Sequence, residues 1–164
     1  MLPDEISRQL PSSTDTSDMD KIGKIGYITI GVAAGSTLPR RGTAGSAAYD
    51  VTCNKAVVIG AGKTARIDVN LYIKLPDDHF MLLLSRSGLA AKGLLVVGGV
   101  IDPDYRGSIE VILHNTNQTD FRINKGQRIA QAVFLPVLAC KFELFERGEE
   151  DEKDNPHLGF GSTD

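Results

Sequence analysis

Ile67, Val69, Leu71, Ile73 and Leu75 alternate with Arg66, Asp68, Asn70, Tyr72 and Lys74. A period of two puts the apolar set on one face of a strand and the polar set on the other. A helix, with 3.6 residues per turn, cannot segregate that pattern, so it specifies a β-strand with one buried face. Ile109, Val111 and Leu113 repeat it against Ser108 and Glu110, with Ile112 as the exception. Short apolar runs at 56–59, 80–84, 94–97 and 132–138 read as strands buried on both faces. Turn signals separate the runs: Gly60-Ala61-Gly62-Lys63, Pro76-Asp77-Asp78, Gly98-Gly99, Asn117-Gln118-Thr119-Asp120 and Asn124-Lys125-Gly126. Many short strands punctuated this way predict an all-β sandwich or jelly roll. Only Ser87 to Lys92 invites a helix, a short one opening on an N-cap residue and closing before Gly93.

The flanks differ from this body. Residues 1–21 are rich in Ser, Asp, Thr and Pro and lack any sustained period, so they read as a disordered N-terminal arm. Residues 22–146 form one β domain, and 147–164, acidic and then glycine-rich, read as a flexible C-terminal arm. A length of 164 residues with 41% hydrophobic content suffices for one core. A net charge of -3 argues against a polyanion-coating surface, so no nucleic-acid partner is expected. No apolar run approaches the roughly 18 residues that span a bilayer, and no signal-peptide core precedes the domain. Cys53 and Cys140 have neither CxxC spacing nor a histidine cluster, which predicts buried thiols in a reducing compartment. The expectation is a soluble intracellular protein of cytoplasm or nucleus, without a membrane partner.

Several short strings could carry chemistry. Ser85-Arg86-Ser87-Gly88 combines a guanidinium, small hydroxyls and free amides at a helix start, an anion site in outline. Its bland alternative is an N-cap beside a surface arginine. Gly99-Val100-Ile101-Asp102-Pro103-Asp104-Tyr105-Arg106-Gly107 could aim a carboxylate at a water and offer a ring to a sugar or base. Alone it equally suits an ordinary turn, since Asp favours turns. Gly159-Phe160-Gly161-Ser162-Thr163 suits a loop that stacks on a base and wraps phosphates, or a plain flexible tail. Ala47-Ala48-Tyr49-Asp50-Val51 and Gly126-Gln127-Arg128-Ile129-Ala130-Gln131 are unspecific singly. His79, His114 and His157 are too dispersed for a metal site.

In their order and spacing, from about Thr37 to Thr163, these strings resemble the five motifs of trimeric dUTPases. The resemblance implies a jelly-roll, or distorted β-barrel, homotrimer with one short helix and active sites shared between subunits. It implies hydrolysis of dUTP to dUMP and pyrophosphate, with Asp102 activating the water that attacks the α-phosphorus. Tyr105 would lie under the deoxyribose, and the backbone at Gly98, Gly99, Val100 and Ile101 would read the uracil edge. Arg86, Ser87, Gly88 and Gln131 would hold the triphosphate. Asp50 would reach a phosphate-bound Mg²⁺ through its waters. Phe160 and Gly161 would close over uracil, with Ser162 and Thr163 on phosphate.

Three departures mark this chain. Ala48 stands where the first motif has glycine, and the stretch 92–102 is one residue shorter than in typical cellular members. The arginine expected five residues before the stacking aromatic is replaced by Asn155. Arg147 carries that role only if the acidic insert 149–158 loops out. Two alternatives share the fold: a dCTP deaminase, which needs a glutamate where Ile112 stands, and a nucleotide-binding regulator with an impaired arm.

Overall fold

In a computed structural model of the chain, which describes residues 28–144, the alternating run 66–75 buries its whole apolar set. It does so as two strands and not one. β5 (Thr64–Asp68) and β6 (Leu71–Lys74) meet at a corner where Asn70 takes a φ of 53°. Asparagine is one of the few residues besides glycine that tolerate this left-handed backbone. The Asp68 carboxylate stabilises the corner by accepting the Asn70 N–H at 2.7 Å. The turn changes sheet without changing phase, which is why the sequence pattern looks continuous.

The other strands are β1 (Thr29–Val32), β2 (Arg40–Arg41), β3 (Tyr49–Thr52), β4 (Val57–Ile59), β7 (His79–Leu84), β8 (Leu94–Val96), β9 (Val100–Ile101), β10 (Glu110–Asn115), β11 (Phe121–Ile123) and β12 (Arg128–Pro136). One helical turn, α1 (Ser87–Ala90), interrupts them. The largest sheet runs β2-β3-β12-β7-β9, a second runs β5-β10-β8, and β1-β6 and β11-β4 are two-stranded ribbons. Every pairing described is antiparallel. Neighbours that are distant in sequence make this the jelly-roll type of β architecture. Val51, Met81, Leu83, Ala130 and Ala132 of the large sheet share one core with Ile67, Val111, Leu113 and Leu94 of the second.

The turn signals fall where expected. Lys63 N–H closes on the Gly60 carbonyl between β4 and β5, His79 on Pro76 between β6 and β7, and Gln127 on Asn124 between β11 and β12. Three expectations need correction. The continuous apolar runs are not buried on both faces: Val58, Leu84, Val97 and Leu138 are exposed. An antiparallel sheet covers one face per core, and a run of apolar residues does not say whether the other is covered. The helix is shorter than expected, and its N-cap is Arg86, with Ser87 already inside the first turn. Cys53 is buried as expected, whereas Cys140 is exposed on the segment after β12.

Among the described residues one polar residue is buried. Asn115, at 0% exposure, places its Nδ2 within 3.1 Å of the carbonyls of Ile59, Gly60 and Thr119. Its Oδ1 accepts from the backbone and the side-chain amides of Asn117. It therefore fastens the end of β10 to the β4 turn and to the 117–120 loop, where strands alone would leave buried carbonyls unpaired. Replacing Asn115 with leucine, similar in volume, should lower unfolding free energy by about 2–4 kcal/mol. A urea titration followed by far-UV circular dichroism would read that loss as an earlier midpoint.

Candidate active site

The central strand of the large sheet organises the site. On β12, Gln131 stands opposite Asp50 of β3 on one side and Leu84 of β7 on the other, and Asp50 stands opposite Arg40 of β2. Cross-strand neighbours share a face. Three of the sequence motifs therefore meet at one level of one sheet: Asp50 from the first, the end of β7 leading into Arg86 from the second, and Gln131 from the fourth.

Charge locks them together. Asp50 Oδ1 accepts from Arg86 Nε at 2.8 Å and Oδ2 from Arg128 Nη1 at 2.9 Å. Arg86 Nη1 also donates to the Arg128 carbonyl at 3.2 Å. The Asp50 and Arg86 side chains are 18% and 27% exposed, so the ion pair is only partly screened by water. Arg128 is a site residue that sequence reasoning misses. The string Gly126–Gln131 is unspecific by itself, and the family resemblance gives a role to Gln131 alone. Arg128 owes its place to a β-bulge between Arg128 and Ala130, which lets Ile129 and Ala130 both stay buried while the arginine turns to Asp50. A bulge leaves no mark in a period-two pattern.

The arrangement leaves groups free for an anion. Arg86 Nη2 makes no hydrogen bond among the described residues, and neither do the backbone N–H groups of Ser87 and Gly88 at the start of α1. Ser85 holds the neighbouring chain by accepting the Val96 N–H on its Oγ at 2.8 Å. Gln131 Nε2 donates to the Ser85 carbonyl at 2.9 Å, so its amide is also spent on bracing this loop.

The glycine pair lies beside this cluster. It is not the tip of a hairpin, because β8 pairs with β10 while β9 pairs with β7; the chain changes sheets at Gly98 and Gly99. Their φ values are 153° and 125°. A Cβ at Gly99 would sit 2.6 Å from Leu83 Cβ, and the Leu83 N–H donates to the Gly99 carbonyl at 2.8 Å. β9 is an edge strand, so one side of the Val100 and Ile101 backbone has no strand partner among the described residues. That free edge can pair with a planar ligand in the way it would pair with another strand.

Asp102 opens a tight turn in which the Tyr105 N–H returns to its carbonyl at 3.1 Å, with Pro103 fixing the first corner. The Asp102 carboxylate is exposed and takes no hydrogen bond among the described residues. The Tyr105 phenol donates to the Ser108 carbonyl at 2.8 Å, and the residue is 38% exposed. Asp104 is exposed and its side chain makes no hydrogen bond among the described residues, as befits a turn residue.

One copy does not bring all these groups together. Gly99 stands beside Leu83, and from that point β7 runs to Arg86 while the antiparallel β9 runs to Asp102. Three residues each way put the two about 20 Å apart along the strands. The arginine–aspartate cluster and the Asp102 turn thus occupy opposite ends of one pair of strands. Arg147, Phe160, Gly161, Ser162 and Thr163 lie outside the described residues.

Among the described residues no group of three or more His, Cys, Asp or Glu side chains could cage a metal ion. Both Asp50 oxygens already accept from arginines, which leaves lone pairs for metal-bound water but no carboxylate set for direct ligation. That donor set fits a hydrated Mg²⁺ carried on a ligand's own phosphates, the mode this ion favours.

An all-β jelly roll with an arginine–aspartate cluster, free amides beside it, and an exposed carboxylate on a glycine-bracketed turn defines a β-barrel protein with a candidate anion site. The chain belongs to the dUTPase family: the family model of that name matches residues 34–164. The deoxyuridine 5'-triphosphate nucleotidohydrolase of Brucella melitensis biotype 2 is 39% identical over 146 residues, 85% of this chain and 92% of that protein. The enzyme of the same name from Paramecium bursaria Chlorella virus 1 is 36% identical over 78% of this chain and 90% of its own length. A Pol polyprotein of Ovine maedi visna related virus is 36% identical over 77% of this chain, which spans only 11% of that polyprotein. Among solved structures, a point mutant of the dUTPase from Staphylococcus aureus phage phi11, described with a structural Mg(II) ion, matches with a TM-score of 0.69. It covers 76% of this chain and 99% of its own at 22% identity, a likeness of fold.

The backbone at the sheet change gives a direct test of the site's frame. Gly99→Ala should destabilise the protein by about 1–3 kcal/mol, because alanine is strained at this φ and its Cβ collides with Leu83. Gly88→Ala, whose Cβ would meet nothing within 4 Å, should change the melting temperature little.

Proposed function

We propose that this chain hydrolyses dUTP to dUMP and pyrophosphate, a reaction that keeps uracil out of DNA and supplies dUMP. The observation that carries this reading is the turn 102–107, which holds an exposed carboxylate without a partner among the described residues, beside an aromatic ring fixed by its own hydroxyl. Asp102 orients a water and takes its proton as the oxygen attacks the α-phosphorus. Pyrophosphate then leaves on the opposite side. A carboxylate without internal hydrogen bonds keeps its oxygens for that water.

Tyr105 supplies the surface under the deoxyribose. Gly99, Val100 and Ile101 offer the unpaired strand edge to uracil. Arg86 meets phosphate through Nη2, with the amides of Ser87 and Gly88 beside it, while Asp50 and Arg128 hold the guanidinium in place. Gln131 supports the same loop through Ser85. Arg147 and the segment from Phe160 to Thr163 would complete the pocket over base and phosphates. Bound on the triphosphate and watched by Asp50 through water, Mg²⁺ would neutralise phosphate charge during attack.

The active site is shared in a homotrimer. Two features support this: the roughly 20 Å between the phosphate cluster and Asp102 within one copy, and the exposed apolar side chains of Leu84, Val97 and Val100 beside the glycine pair. A second copy that covers those side chains can bring its own Asp102 turn to the first copy's arginines.

Pyrophosphate release should be seen with dUTP and Mg²⁺, and not with dTTP, dCTP or UTP, nor after EDTA; no release from dUTP would end this reading. Asp102→Asn should lower kcat by about 10²–10⁴-fold while leaving affinity for a non-hydrolysable dUTP analogue within a few-fold. Mixing inactive Asp102→Asn and Arg86→Gln chains, unfolding and refolding them together, should restore part of the activity, because some sites then draw both intact groups. A mixture as inactive as its components would exclude shared sites.

A further inference from the structure

The Tyr105 ring is held by a chain of contacts that begins on a different strand. Its phenol donates to the Ser108 carbonyl at 2.8 Å. Ser108 in turn donates its Oγ–H to Asp68 Oδ1 at 2.5 Å, a length typical of charge-assisted bonds. The same Asp68 oxygen accepts the Asn70 N–H at 2.7 Å, which ties it to the left-handed corner between β5 and β6. Next to Ser108, the buried Ile109 donates its N–H to the Leu71 carbonyl and accepts the Val69 N–H. The peptide that receives the phenol is therefore anchored on both sides to one rigid corner. From beneath, Gly107 fits so closely that a Cβ there would lie 2.5 Å from Tyr105 Oη.

An acid at position 68 is costly to the sheet. Asp68 pairs directly across from Glu110, and like charges facing one another destabilise a strand pair. Arg66 relieves the clash, but through Glu110: its Nε donates to Glu110 Oε2 at 2.9 Å, and the ion pair raises the Arg66 pKa. Asp68 is left with Ser108 and the Asn70 amide as its partners among the described residues. Strand pairing gains nothing from a carboxylate here; the turn carrying Tyr105 does.

We propose that Asp68, acting through Ser108, is a positioning residue that sets the height of the Tyr105 ring and so the discrimination between deoxyribose and ribose. The proposal rests on the reading of Tyr105 as the surface beneath the sugar. A ring that must leave no room for a 2′-hydroxyl has to be fixed to well under an ångström, and a displacement of about 1 Å is enough to change rates greatly. A tyrosine held only by its own turn would yield to the extra oxygen. A tyrosine whose hydroxyl is tied to a buried strand corner does not.

The test uses the full-length protein and the ratio of kcat/KM for dUTP to that for UTP. Ser108→Ala and Asp68→Ala should lower this ratio about tenfold, by admitting UTP, with kcat on dUTP within about twofold of the parent. Asp68→Asn keeps the Oδ1 acceptor and should retain the parent ratio. Tyr105→Phe should lower the ratio similarly, and combining it with Asp68→Ala should add little, since both cut the same chain of contacts. An unchanged ratio in both alanine variants, or full additivity in the double variant, would overturn the proposal. Failure of the parent reading would look different, as absence of dUTP turnover in the unsubstituted protein. For that case there is a readout that needs no activity. The chain has four tyrosines and no tryptophan, so ring-labelled tyrosine NMR, assigned through Tyr105→Phe, reports the ring alone. The Tyr105 signal should shift in Ser108→Ala, and a signal that stays in place would sink the brace.

Discussion

Much of this molecule depends on the register of β12 between its two neighbours. Gln131 must face Asp50 on one side and Leu84 on the other at the same time. Because side chains alternate, a slip of one residue would turn Gln131 into the core and Ala130 or Ala132 out of it. The bulge at Arg128 absorbs the one irregularity described in this double pairing, and it does so where the sheet runs into the arginine–aspartate cluster. The strand that stabilises the fold thus also sets which side chains meet Asp50.

The charges in that cluster are arranged so that no single one controls the site. Asp50 is shared between two arginines, which keeps Arg86 oriented through Nε and Nη1 while Nη2 stays unbound. A carboxylate paired with Arg86 alone would neutralise the cation it is meant to present. Adding Arg128 leaves the group with a net positive charge, the sign a triphosphate needs, without a loose guanidinium. Removing Asp50 would leave the partly buried Arg86 guanidinium beside the exposed Arg128 with no carboxylate between them, which costs more than the loss of one hydrogen bond.

Much of the fold was legible in the sequence because burial in a β-sheet has a period that residues display directly. Ile67 to Leu75 and Ile109 to Leu113 are core residues on that ground alone, and the Gly, Pro, Asn and Asp clusters mark turns for reasons of backbone conformation. What stayed hidden are features that preserve phase or concern a second body. The corner at Asn70 passes from one sheet to another without breaking alternation. The sheet change at Gly98 and Gly99 looks, in sequence, like any glycine turn. The outward faces of Leu84 and Val97 carry the same residues whether or not another surface covers them. At the site, it is the family resemblance of the strings taken together that points to Asp50, Arg86 and Gln131, and the strand pairing shows that they stand side by side with Arg128 among them.

The placement of the two halves of the site follows from these constraints. A strand pair has two ends, and the residues that leave it are freed from ladder hydrogen bonds only there. Arg86 leaves β7 at one end and Asp102 leaves β9 at the other, so each group gains an unpaired backbone and access to solvent. The consequence is that the two groups stand about 20 Å apart along the strands within one copy. Precision then has to come from how rigidly each end is built. At the phosphate end the rigidity comes from ion pairs around Asp50. At the Asp102 end the chain is short, exposed and lacks core contacts of its own, so it borrows stiffness from the β5–β6 corner through Asp68 and Ser108. The turn has bonds of its own, from the Tyr105 N–H to the Asp102 carbonyl and from Arg106 to the carbonyls of Pro103 and Tyr105, and Asp68 adds the link that reaches out of the turn to a neighbouring strand.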